Sequence, residues 1–570
     1  MTLAEVVLTV RQRAVPRRSD YAGLSTSYRK DILAGITVGV VALPLALAFG
    51  VASGVGAAAG LITAIVAGFV AAVFGGSNFQ VSGPTGAMTV VLLPIVARFG
   101  ASAVVPVAIM AGGIVLAMGL FGLGRAVSFI PWPVVEGFTI GIAIIIFLQQ
   151  VPLALDVPRP EGDNTAIVAL RALQSADWAV AIQSIAVVAL VVVVLVVMPR
   201  LNKAVPWSII AIVLATVAVG FVGWQMSRIG SLPDGLPAPS IPVLDASSTG
   251  ALFSAAIAVA ALAAIESLLS ARVADGMTSV ADGMKSPGRY DPDRELVGQG
   301  LANIASGAFG GMPATGAIAR TAVNVRAGAR TRVSAMVHSL VLIVVVVAGG
   351  GLVAVIPLAA LAGVLMVTAV RMIDRRVALS VLRSTPADAL VMVVTAAATV
   401  ALDLILAVEI GIAIAAGLAL RALAQSSTMD REEVASSDTI GATESGPSEQ
   451  ALLHEHIAVY RLDGALFFGA SQRFLDELVD VADVRVVVLR LGGIRMLDAS
   501  GAHALEEIID DLQGRGIAVI LQGIRPEHVA TLEAVGTFGA LVSAHHAVES
   551  LSEAIDHARM HVRRALGARG

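Results

Sequence analysis

Long apolar runs fill positions 31–424 and are separated by short polar breaks. A helix needs about 20 mainly apolar residues to cross a bilayer, and most of these runs have that length. The pattern predicts an α-helical polytopic membrane protein with fourteen segments, at 31–54, 58–75, 84–97, 102–121, 130–150, 179–198, 206–224, 251–272, 296–309, 316–328, 333–351, 357–371, 388–402 and 404–422. An even number of crossings returns the chain to the side on which it began.

Two of the predicted segments, 84–97 and 316–328, are too short to cross a bilayer alone. Each follows a stretch rich in Gly and Pro that contains Thr-Gly-Ala, within QVSGPTGAMTVV and GGMPATGAIARTAVNVR. Interrupted segments are tolerated at membrane depth only when they are buried in protein. Such segments at corresponding positions of two halves are the best sequence indication of a transporter's binding site. The pattern therefore predicts two half-helices whose starts lie near each other.

The composition changes after residue 424. Residues 425–455 are polar and lack apolar runs, which is typical of a linker. Residues 456–566 alternate strand-like runs (HIAVYRL, VRVVVLRL, IAVILQGI) with amphipathic helical stretches, which predicts a separate α/β domain. The chain is thus expected to comprise an N-terminal segment (1–30), a transmembrane domain (31–424), this linker and the α/β domain.

Basic residues are concentrated on one side of the predicted membrane topology. They occur in the N-terminal segment and in alternate connections, at Arg11, Arg13, Arg17, Arg18, Arg29, Lys30, Arg125, Arg200, Lys203, Lys285, Arg289, Arg294, Arg326, Arg330, Arg332, Arg371, Arg375, Arg376, Arg383 and Arg421. We therefore expect both termini to be cytoplasmic, in a plasma membrane. Because seven segments per half is an odd number, the second half would be inserted upside down relative to the first.

Composition narrows the possible classes of function. The chain is 57% hydrophobic and 14% charged, whereas soluble domains are about 25% charged. Its net charge of -4 argues against a nucleic-acid partner, and the absence of cysteine excludes thiolate chemistry. The nine histidines are scattered, and no histidine or carboxylate cluster shows the spacing of a metal site. We predict no metal, no cofactor and no enzyme activity.

Arg320 and Glu266 are charged residues of predicted membrane segments, and a charge at membrane depth must face a cavity or a partner. Arg320 lies one turn into the second short segment, unless it is near a surface and snorkels. Glu266, within AIAVAALAAIESLLSARVADG, is the most deeply placed acid. It is either a proton carrier or the partner of Arg320 in a static ion pair. Ser270, one turn further on, either shares the site or bonds its own backbone.

The starts of the two short segments predict an anion site. Helices that begin near Thr85 and Gly316 would direct unpaired N–H groups and positive dipole ends at one place. Gly86 and Gly316 would allow close approach of the backbone. Phe49, which follows a proline in the first segment, is a candidate wall of this pocket. The alternative is a pair of helix kinks, with Phe49 in ordinary packing.

Five stretches together resemble the SulP family of anion transporters: DILAGITVGVVALPLALAFGVASG, FQVSGPTGAMTVV, AAIESLLSARVADGM, ELVGQGLANIASGAFGGMPATGAIARTAVNVRAGART and VVVLRLGGIRMLDASGAHALEEI. The resemblance covers nearly the whole chain. It implies fourteen membrane segments in two inverted sevens, a core domain that moves against a gate domain, and a cytoplasmic STAS domain.

The resemblance also implies where the substrate binds. In the family the site lies between the broken helices and is lined by the first, third, eighth and tenth segments. For substrate binding, the matching residues are Leu45, Phe49, Thr85, Gly86, Gly316, Ala317, Ile318 and Arg320. Those expected to couple transport to an ion are Glu266 and Ser270.

Members of the family carry sulfate, bicarbonate, chloride or C4-dicarboxylates. The sodium-coupled bicarbonate type has Asp and Thr in place of Glu266 and Ser270, and it lacks the arginine found here at Arg320. The resemblance therefore implies proton-coupled symport of sulfate or a C4-dicarboxylate, by an elevator-like mechanism and in a homodimer. The alternatives are a sodium-coupled bicarbonate transporter, an uncoupled exchanger or channel, and an anion sensor that does not transport.

The turn LDASG in the C-terminal domain resembles the phosphorylatable turn of soluble STAS proteins, with Ser500 at the position of the modified serine. Ser500 is therefore a candidate regulatory site. The alternative is that Asp498 or Ser500 simply caps the following helix. We expect this domain to regulate transport or to bind a cytoplasmic partner rather than to catalyse a reaction.

Overall fold

The computed structural model describes residues 15–125, 131–162, 164–202, 205–232, 235–240, 249–281, 290–402, 404–425, 428–432, 456–466, 484–535 and 545–567. The chain divides into two compact units, Met1–Ile412 and Ala413–Gly570. The first unit is helical and the second is an α/β fold. Some predicted features lie outside the described residues, namely Arg11, Arg13, Lys203, Lys285, Arg289, most of the linker and the amphipathic stretch SQRFLDELVDVA.

The first half of the membrane unit contains seven segments at the predicted places. They are α1 (Leu24–Ala52), α2 (Ala57–Phe74), the strand β1 (Ser82–Gly83) with α3 (Gly86–Phe99), α4 (Val104–Leu120), α5 (Trp132–Gln149), α8 (Trp178–Val197) and α9 (Trp207–Val222). Two short helices, α6 (Val151–Ala154) and α7 (Thr165–Ser175), connect α5 to α8. The side chain of Asn164 caps α7 by accepting hydrogen bonds from the N–H groups of Ala166 and Ile167.

The second half repeats this order of elements. It contains α10 (Thr249–Ala281), α11 (Pro292–Ala308), the strand β2 (Thr315–Gly316) with α12 (Ile318–Arg326), α13 (Val333–Ala354), α14 (Leu358–Met372), α16 (Pro386–Ala401) and α17 (Leu404–Gln425). The short helix α15 (Arg375–Ser384) precedes α16, at the position that α7 has before α8. Within the described residues, each half thus has seven segments, of which the third is a strand followed by a short helix.

Length and hydropathy agree with a polytopic membrane fold. Eight helices in the described part of the chain are long and apolar enough to cross a membrane, while α3, α9 and α16 are apolar but shorter. Exposed apolar side chains follow one side of α13, at Leu340, Val344 and Val347. Because a helix pairs all its internal backbone groups, it can present such a face to lipid. The predicted fold class is confirmed.

Contacts between helices are denser within two groups of the membrane unit than between them, although α1 of the first group also contacts α9 and α14 of the second. We call α1, α2, α4 and α10–α13 the core group, in which α4 packs extensively on α11 and α1 on α13. We call α5, α8, α9, α14 and α16 the gate group, in which α5 packs on α16 and α8 on α14. The helix α3 contacts both α10 and α5, so it lies at the boundary.

Glycines permit the closest of these packings. A Cβ added to Gly300 of α11 would lie 2.5 Å from the backbone nitrogen of Leu116 in α4. A Cβ at Gly141 of α5 would lie 2.4 Å from the Cβ of Thr399 in α16. Both groups are therefore held together by backbones in close contact.

Two cations that were assigned to cytoplasmic connections are buried. Arg294 donates to both carboxylate oxygens of Asp20, at 2.9 and 2.5 Å, and Arg332 lies 3.5 Å from the same carboxylate. Burial alone would raise the pKa of Asp20. Hydrogen bonds from Arg294 and from the N–H of Arg17, together with the charge of Arg332, instead hold that pKa below its ordinary value. This network ties the segment before α1 to α11 and to the start of α13.

The second unit contains a mixed five-stranded sheet in the order β3–β4–β5–β6–β7. The strand β3 (Thr428–Glu432) is antiparallel to β4 (Ile457–Leu466), and β5 (Val486–Leu497), β6 (Ala518–Gln522) and β7 (Ala547–Val548) continue in parallel. Besides the end of α17, its described helices are α18 (Ala499–Gly514), α19 (Pro526–Val535) and α20 (Leu551–Gly567). Alternate residues of β5 pack into two separate apolar clusters, one with α18 and one with α20. The predicted α/β domain is confirmed.

The predicted linker is wrong at its start. The helix α17 extends to Gln425, and β3 occupies part of the range 425–455. The carboxylate of Glu432 at the end of β3 forms ion pairs with Arg461 of β4 and Arg490 of β5. Because β3 is an edge strand of polar sequence, its hydrophobic pattern was too weak to distinguish it from a loop.

Candidate functional site

The two interrupted stretches meet inside the membrane unit. The strands β1 and β2 pair in antiparallel fashion, with Ser82 opposite Gly316. Next to this pair, the N–H of Ala317 donates to the carbonyl of Val81 at 2.9 Å. Extended backbone at membrane depth needs partners for its polar groups, and each stretch supplies them to the other. The expectation that the two broken segments lie close together is borne out.

Each strand leads into the start of a short helix. The hydroxyl of Thr85 caps α3 by accepting a hydrogen bond from the N–H of Met88 at 3.4 Å. The helix α12 begins directly after Ala317, which provides no side-chain cap. The first N–H groups of both helices therefore have few partners within the helix, and each start carries a positive dipole end. Ala87 in the first turn of α3 and Ile318 at the start of α12 line the same cavity.

This cavity lies between the core and gate groups. From α3, α10 and α12 it is lined by Ala87, Ile265, Glu266, Leu269 and Ile318, and from α5, α14 and α17 by Val134, Val135, Phe138, Thr139, Ile142, Met372 and Val408. Among these lining residues, Glu266 is the one charged side chain. A mainly apolar cavity with a few placed polar groups is the usual form of a small-molecule site.

Glu266 is half-buried and faces the cavity from α10. Its Oε2 accepts a hydrogen bond from the hydroxyl of Thr85 at 2.9 Å. The same hydroxyl caps α3, so the carboxyl group of α10 and the start of α3 share one hydrogen-bonding group. A carboxyl group in this position can exchange a proton with the cavity and can also change the potential at the helix start.

Arg320 lies buried in the first turn of α12, as the sequence predicted. It is 1% exposed and its Nη2 donates to the carbonyl of Pro84, so it does not snorkel to a surface. It is not among the residues that line the cavity. Glu266 bonds the side chains of Thr85 and Thr315, whereas Arg320 bonds the carbonyl of Pro84. None of these hydrogen bonds joins the two charges, which are nevertheless close enough to interact electrostatically. Arg320 therefore supports the turn before α3 and places a positive charge behind the cavity.

Ser270 is also held away from the cavity. Its buried hydroxyl lies 3.1 Å from the hydroxyl of Thr321 in α12. Ser267, three residues earlier on α10, accepts a hydrogen bond from the N–H of Gly316 at 3.0 Å. Because side chains three apart on a helix are neighbours, the two serines together fasten β2 and α12 to α10. The sequence contained this spacing but gave no reason to assign it that role.

Leu45 and Phe49 lie on the buried face of α1 rather than on the cavity lining. A Cβ at Gly86 would lie 3.3 Å from Cε1 of Phe49 and 2.2 Å from Cδ1 of Ile146. Phe49 therefore packs against the start of α3 and helps to place it. The neighbours of Gly86 are side chains of α1 and α5, and the close approach of its backbone to an anion stays a prediction.

Gly316 is equally crowded, because a Cβ there would lie 1.8 Å from Nε2 of Gln80 and 3.1 Å from Cα of Ser267. We expect Gly316→Ala to displace the buried Gln80 and to strain β2 at a cost on the order of 1–3 kcal/mol. Transport should fall about tenfold while the helices stay folded, since small displacements of a binding group are costly. Uptake by reconstituted protein and thermal unfolding measure the two effects. Gly113→Ala is the control, because a Cβ at that glycine of α4 meets no atom within 4 Å. Wild-type uptake by Gly316→Ala would contradict the expectation.

The gate side of the cavity was not found from the sequence. Val134, Phe138 and Ile142 are spaced by four residues and share one face of α5. Such a stripe is equally typical of ordinary helix packing. Only the fold determines that this face lies opposite α10 and the two helix starts.

The fold and the cavity together define a polytopic membrane transporter in which two related halves each contribute a broken segment to one site. A model of the sulfate permease family matches residues 28–395, and a model of the STAS domain matches residues 450–554. The chain therefore belongs to the sulfate permease family of anion transporters, and its C-terminal unit is a STAS domain.

Relatives of the chain include transporters named for different anions. It is 33% identical over 525 residues to YvdB of Bacillus subtilis, a protein named provisionally as a sulfate transporter, with 91% of this chain and 96% of that protein covered. It is 33% identical over 542 residues to the bicarbonate transporter BicA of Synechocystis sp., with 93% and 94% covered. These relatives are not enzymes, which confirms that expectation.

Solved structures show the same fold. The transmembrane domain of a cyanobacterial bicarbonate transporter BicA matches with a TM-score of 0.58 at 34% identity, covering 68% of this chain and 97% of that chain. The murine anion transporter Slc26a9 in its inward-facing state matches with a TM-score of 0.78, covering 93% of this chain and 91% of that chain. At 18% identity, this second likeness concerns the fold alone.

Ser500 is exposed in the first turn of α18. The carboxylate of Asp498 caps this helix by accepting a hydrogen bond from the N–H of Gly501 at 2.7 Å. The capping alternative is therefore confirmed for Asp498. A regulatory role of Ser500 stays a prediction, and its exposed hydroxyl is compatible with modification.

Proposed function

We propose that the protein is a proton-coupled symporter of sulfate or a C4-dicarboxylate. The observation that carries the proposal is that Glu266 shares one cavity with the first turns of both half-helices. The starts of these helices attract an anion through their N–H groups and dipoles. A titratable carboxyl group beside them makes that attraction depend on a proton.

Ionised Glu266 would oppose a bound anion. Two like charges about 5 Å apart in an effective dielectric of about 20 repel each other by roughly 3 kcal/mol, which is a factor of roughly 100 in affinity. Protonation of Glu266 removes this repulsion, so the proton and the anion bind cooperatively. Linkage makes the effect reciprocal, so a bound anion favours protonation by the same factor. A carrier that changes its conformation only when both the proton and the anion are bound is a symporter.

The remaining predicted residues have two kinds of role in this proposal. Thr85, Gly86, Gly316, Ala317 and Ile318 form the two strand-to-helix turns that direct the starts of α3 and α12 at the anion. The N–H groups of Gly316 and Ala317 are bonded to Ser267 and Val81, so these two residues fix the turn, and the first N–H groups of the helices face the anion. The others act from outside the cavity lining, where they hold those starts in place: Leu45, Phe49, Ser270 and Arg320. Arg320 in addition contributes a positive charge that offsets part of the repulsion between the anion and the carboxylate.

The two helix groups support an elevator-like mechanism. The helix starts and Glu266 line one side of the cavity, and mostly apolar residues of α5, α14 and α17 line the other. A rigid movement of the core group past the gate group would carry the site across the membrane. None of the gate residues that line the cavity is charged, so none of them forms an ion pair that must be broken. A site whose own charges are compensated can therefore pass this lining at low cost.

A second candidate is sodium-coupled bicarbonate transport, because the bicarbonate transporter BicA and YvdB are equally similar to this chain. The two candidates differ in the coupling ion and in the size of the anion. Glu266, which can carry a proton into the cavity, favours the first.

Uptake into proteoliposomes tests the proposal. Radiolabelled sulfate, succinate, fumarate and bicarbonate are supplied in turn, with an inward proton gradient, with that gradient collapsed by a protonophore, and with a sodium gradient. We expect uptake of sulfate or a dicarboxylate to fall about tenfold when the proton gradient is collapsed and to be insensitive to sodium. Unchanged uptake would reject proton coupling, and sodium-dependent bicarbonate uptake would establish the second candidate.

The proposal includes the placement of the protein. We place it in the plasma membrane as a homodimer, with both termini in the cytoplasm, where the STAS domain can contact a regulatory partner. The basic connections at Arg125, Arg200 and Arg326 support this orientation. Protease access to a C-terminal epitope in inside-out but not in right-side-out vesicles is the expected result.

A further inference from the structure

Three histidines of the STAS domain meet at one place. His557 and His561 are four residues apart on α20, so they share one face of that helix. His546 directly precedes β7. One ring nitrogen of each residue lies within 4.8 Å of the other two. The expectation that the histidines are scattered is wrong for these three, because the sheet brings His546 to α20 from outside the helix.

The rings are arranged almost as an equilateral triangle. Their centroids are 5.2 Å apart for His546 and His557, 4.9 Å for His546 and His561, and 5.1 Å for His557 and His561. The Nε2 atoms of His546 and His561 are 3.1 Å apart. Nitrogens that bind one tetrahedral Zn²⁺ at about 2.0–2.1 Å are roughly 3.3 Å from each other. Small movements of the rings would therefore bring the three nitrogens around one ion.

Both elements that carry the histidines are firmly placed. The carbonyl of His546 accepts a hydrogen bond from the N–H of Leu521 in β6 at 2.8 Å, and the next residue, Ala547, pairs with Leu521 in the sheet. The helix α20 packs on the sheet through Ala554, Ala558 and Val562. Ligands on rigid elements lose little freedom when they bind a metal.

The cluster has features that hydrogen bonding within the domain leaves unexplained. Nε2 of His557 is buried and has no hydrogen-bond partner among the described residues, although buried polar atoms are normally paired. Burial lowers the pKa of His546, with a further contribution from the other two rings. Burial also lowers the pKa of His561, and His557 and Arg564 act in the same direction. Neutral imidazole is the form that binds a metal ion.

We propose that His546, His557 and His561 form a site for a divalent transition-metal ion of the Zn²⁺ type. Three imidazoles suit Zn²⁺, Cu²⁺ or Ni²⁺, and a fourth position is left for water or another ligand. The bound ion would link β7, at the edge of the sheet, to the C-terminal helix. The nearby positive charge of Arg564 lowers the affinity of the site for the ion.

Titration of the full-length protein with Co²⁺ tests this site. The protein is purified in detergent without a histidine tag and stripped with EDTA, and the visible absorption of Co²⁺ reports nitrogen ligation. We expect one Co²⁺ per chain, displaced by Zn²⁺, and at least about a tenfold loss of affinity in His557→Gln and His561→Gln. His545→Asn is the matched control, because His545 is exposed, adjacent in sequence and outside the cluster. Its left-handed backbone, with φ of 59°, is readily adopted by Asn.

A second measurement does not depend on variants. Zn²⁺ should protect His546, His557 and His561 of the wild-type protein from diethyl pyrocarbonate, as mapped by mass spectrometry, and should leave His503 reactive. Saturable binding that is lost in the two cluster variants but kept in His545→Asn supports the proposal. Equal binding by all variants, no stoichiometric binding by the wild type, or protection at none of the three histidines would overturn it.

Discussion

Glu266→Gln should abolish the response of transport to a proton gradient while exchange of anions continues. The amide oxygen of glutamine can accept the hydroxyl of Thr85 as Oε2 of Glu266 does, so the start of α3 keeps its geometry. The amide cannot carry a proton. Because it resembles the neutral acid, anion affinity at neutral pH should rise, by up to about 100-fold. Net uptake with and without a proton gradient, and exchange of internal for external anion, measure these effects separately.

The control for this substitution is Glu409→Gln. Glu409 is also a carboxylate in a membrane helix, but it is exposed on α17 and does not line the cavity. It should behave as the wild type in both assays. Accumulation that still follows the proton gradient in Glu266→Gln would exclude Glu266 as the coupling residue. Loss of exchange as well would indicate that the carboxylate is needed for binding itself.

A covalent link between the two helix groups should stop transport. The chain contains no cysteine, so the native protein is a clean background for thiol chemistry. Phe138→Cys on α5 and Leu269→Cys on α10 place thiols on the gate and core sides of one cavity. A short bifunctional methanethiosulfonate that joins them should reduce uptake at least about tenfold if the groups must move past each other. Reduction of the link should restore uptake.

Val191→Cys with Gly363→Cys is the matched control, since both residues belong to the gate group. A Cβ at Gly363 would lie 3.1 Å from Cβ of Val191, so the two thiols can be joined without moving α8 or α14 far. We expect this link to leave uptake nearly unchanged. Full uptake by the protein linked between Phe138→Cys and Leu269→Cys would be incompatible with an elevator-like movement at this boundary.

The sequence predicted the broken segments well, because their cause is local. Gly316, the neighbouring Pro313 and the short apolar run after them cannot form one continuous spanning helix, and the structure has a strand and a short helix there. The role of Glu266 at a cavity was also foreseeable, because a lone carboxylate within an apolar span requires a polar surrounding. These inferences depend on residues within about one or two turns of each other.

Whether Arg320 and Ser270 line the cavity could not be predicted in the same way. Both were expected at the cavity, but Arg320 bonds the carbonyl of Pro84 and Ser270 lies beside Thr321. Which side of a helix faces a cavity is decided by packing between elements that are far apart in sequence. The same reason explains why Phe138 was missed, and why His546 was not connected with α20.

The pairing of β1 with β2 has a consequence for how the protein is made. Ser82 finds its partner Gly316 only after a long intervening stretch has been synthesised and inserted. Until then, main-chain N–H and C=O groups of the first half lie inside the bilayer without hydrogen-bond partners. Contacts of such long range form late in folding. We infer that the nascent first half is a client for the insertion machinery or a membrane chaperone until its counterpart emerges from the ribosome.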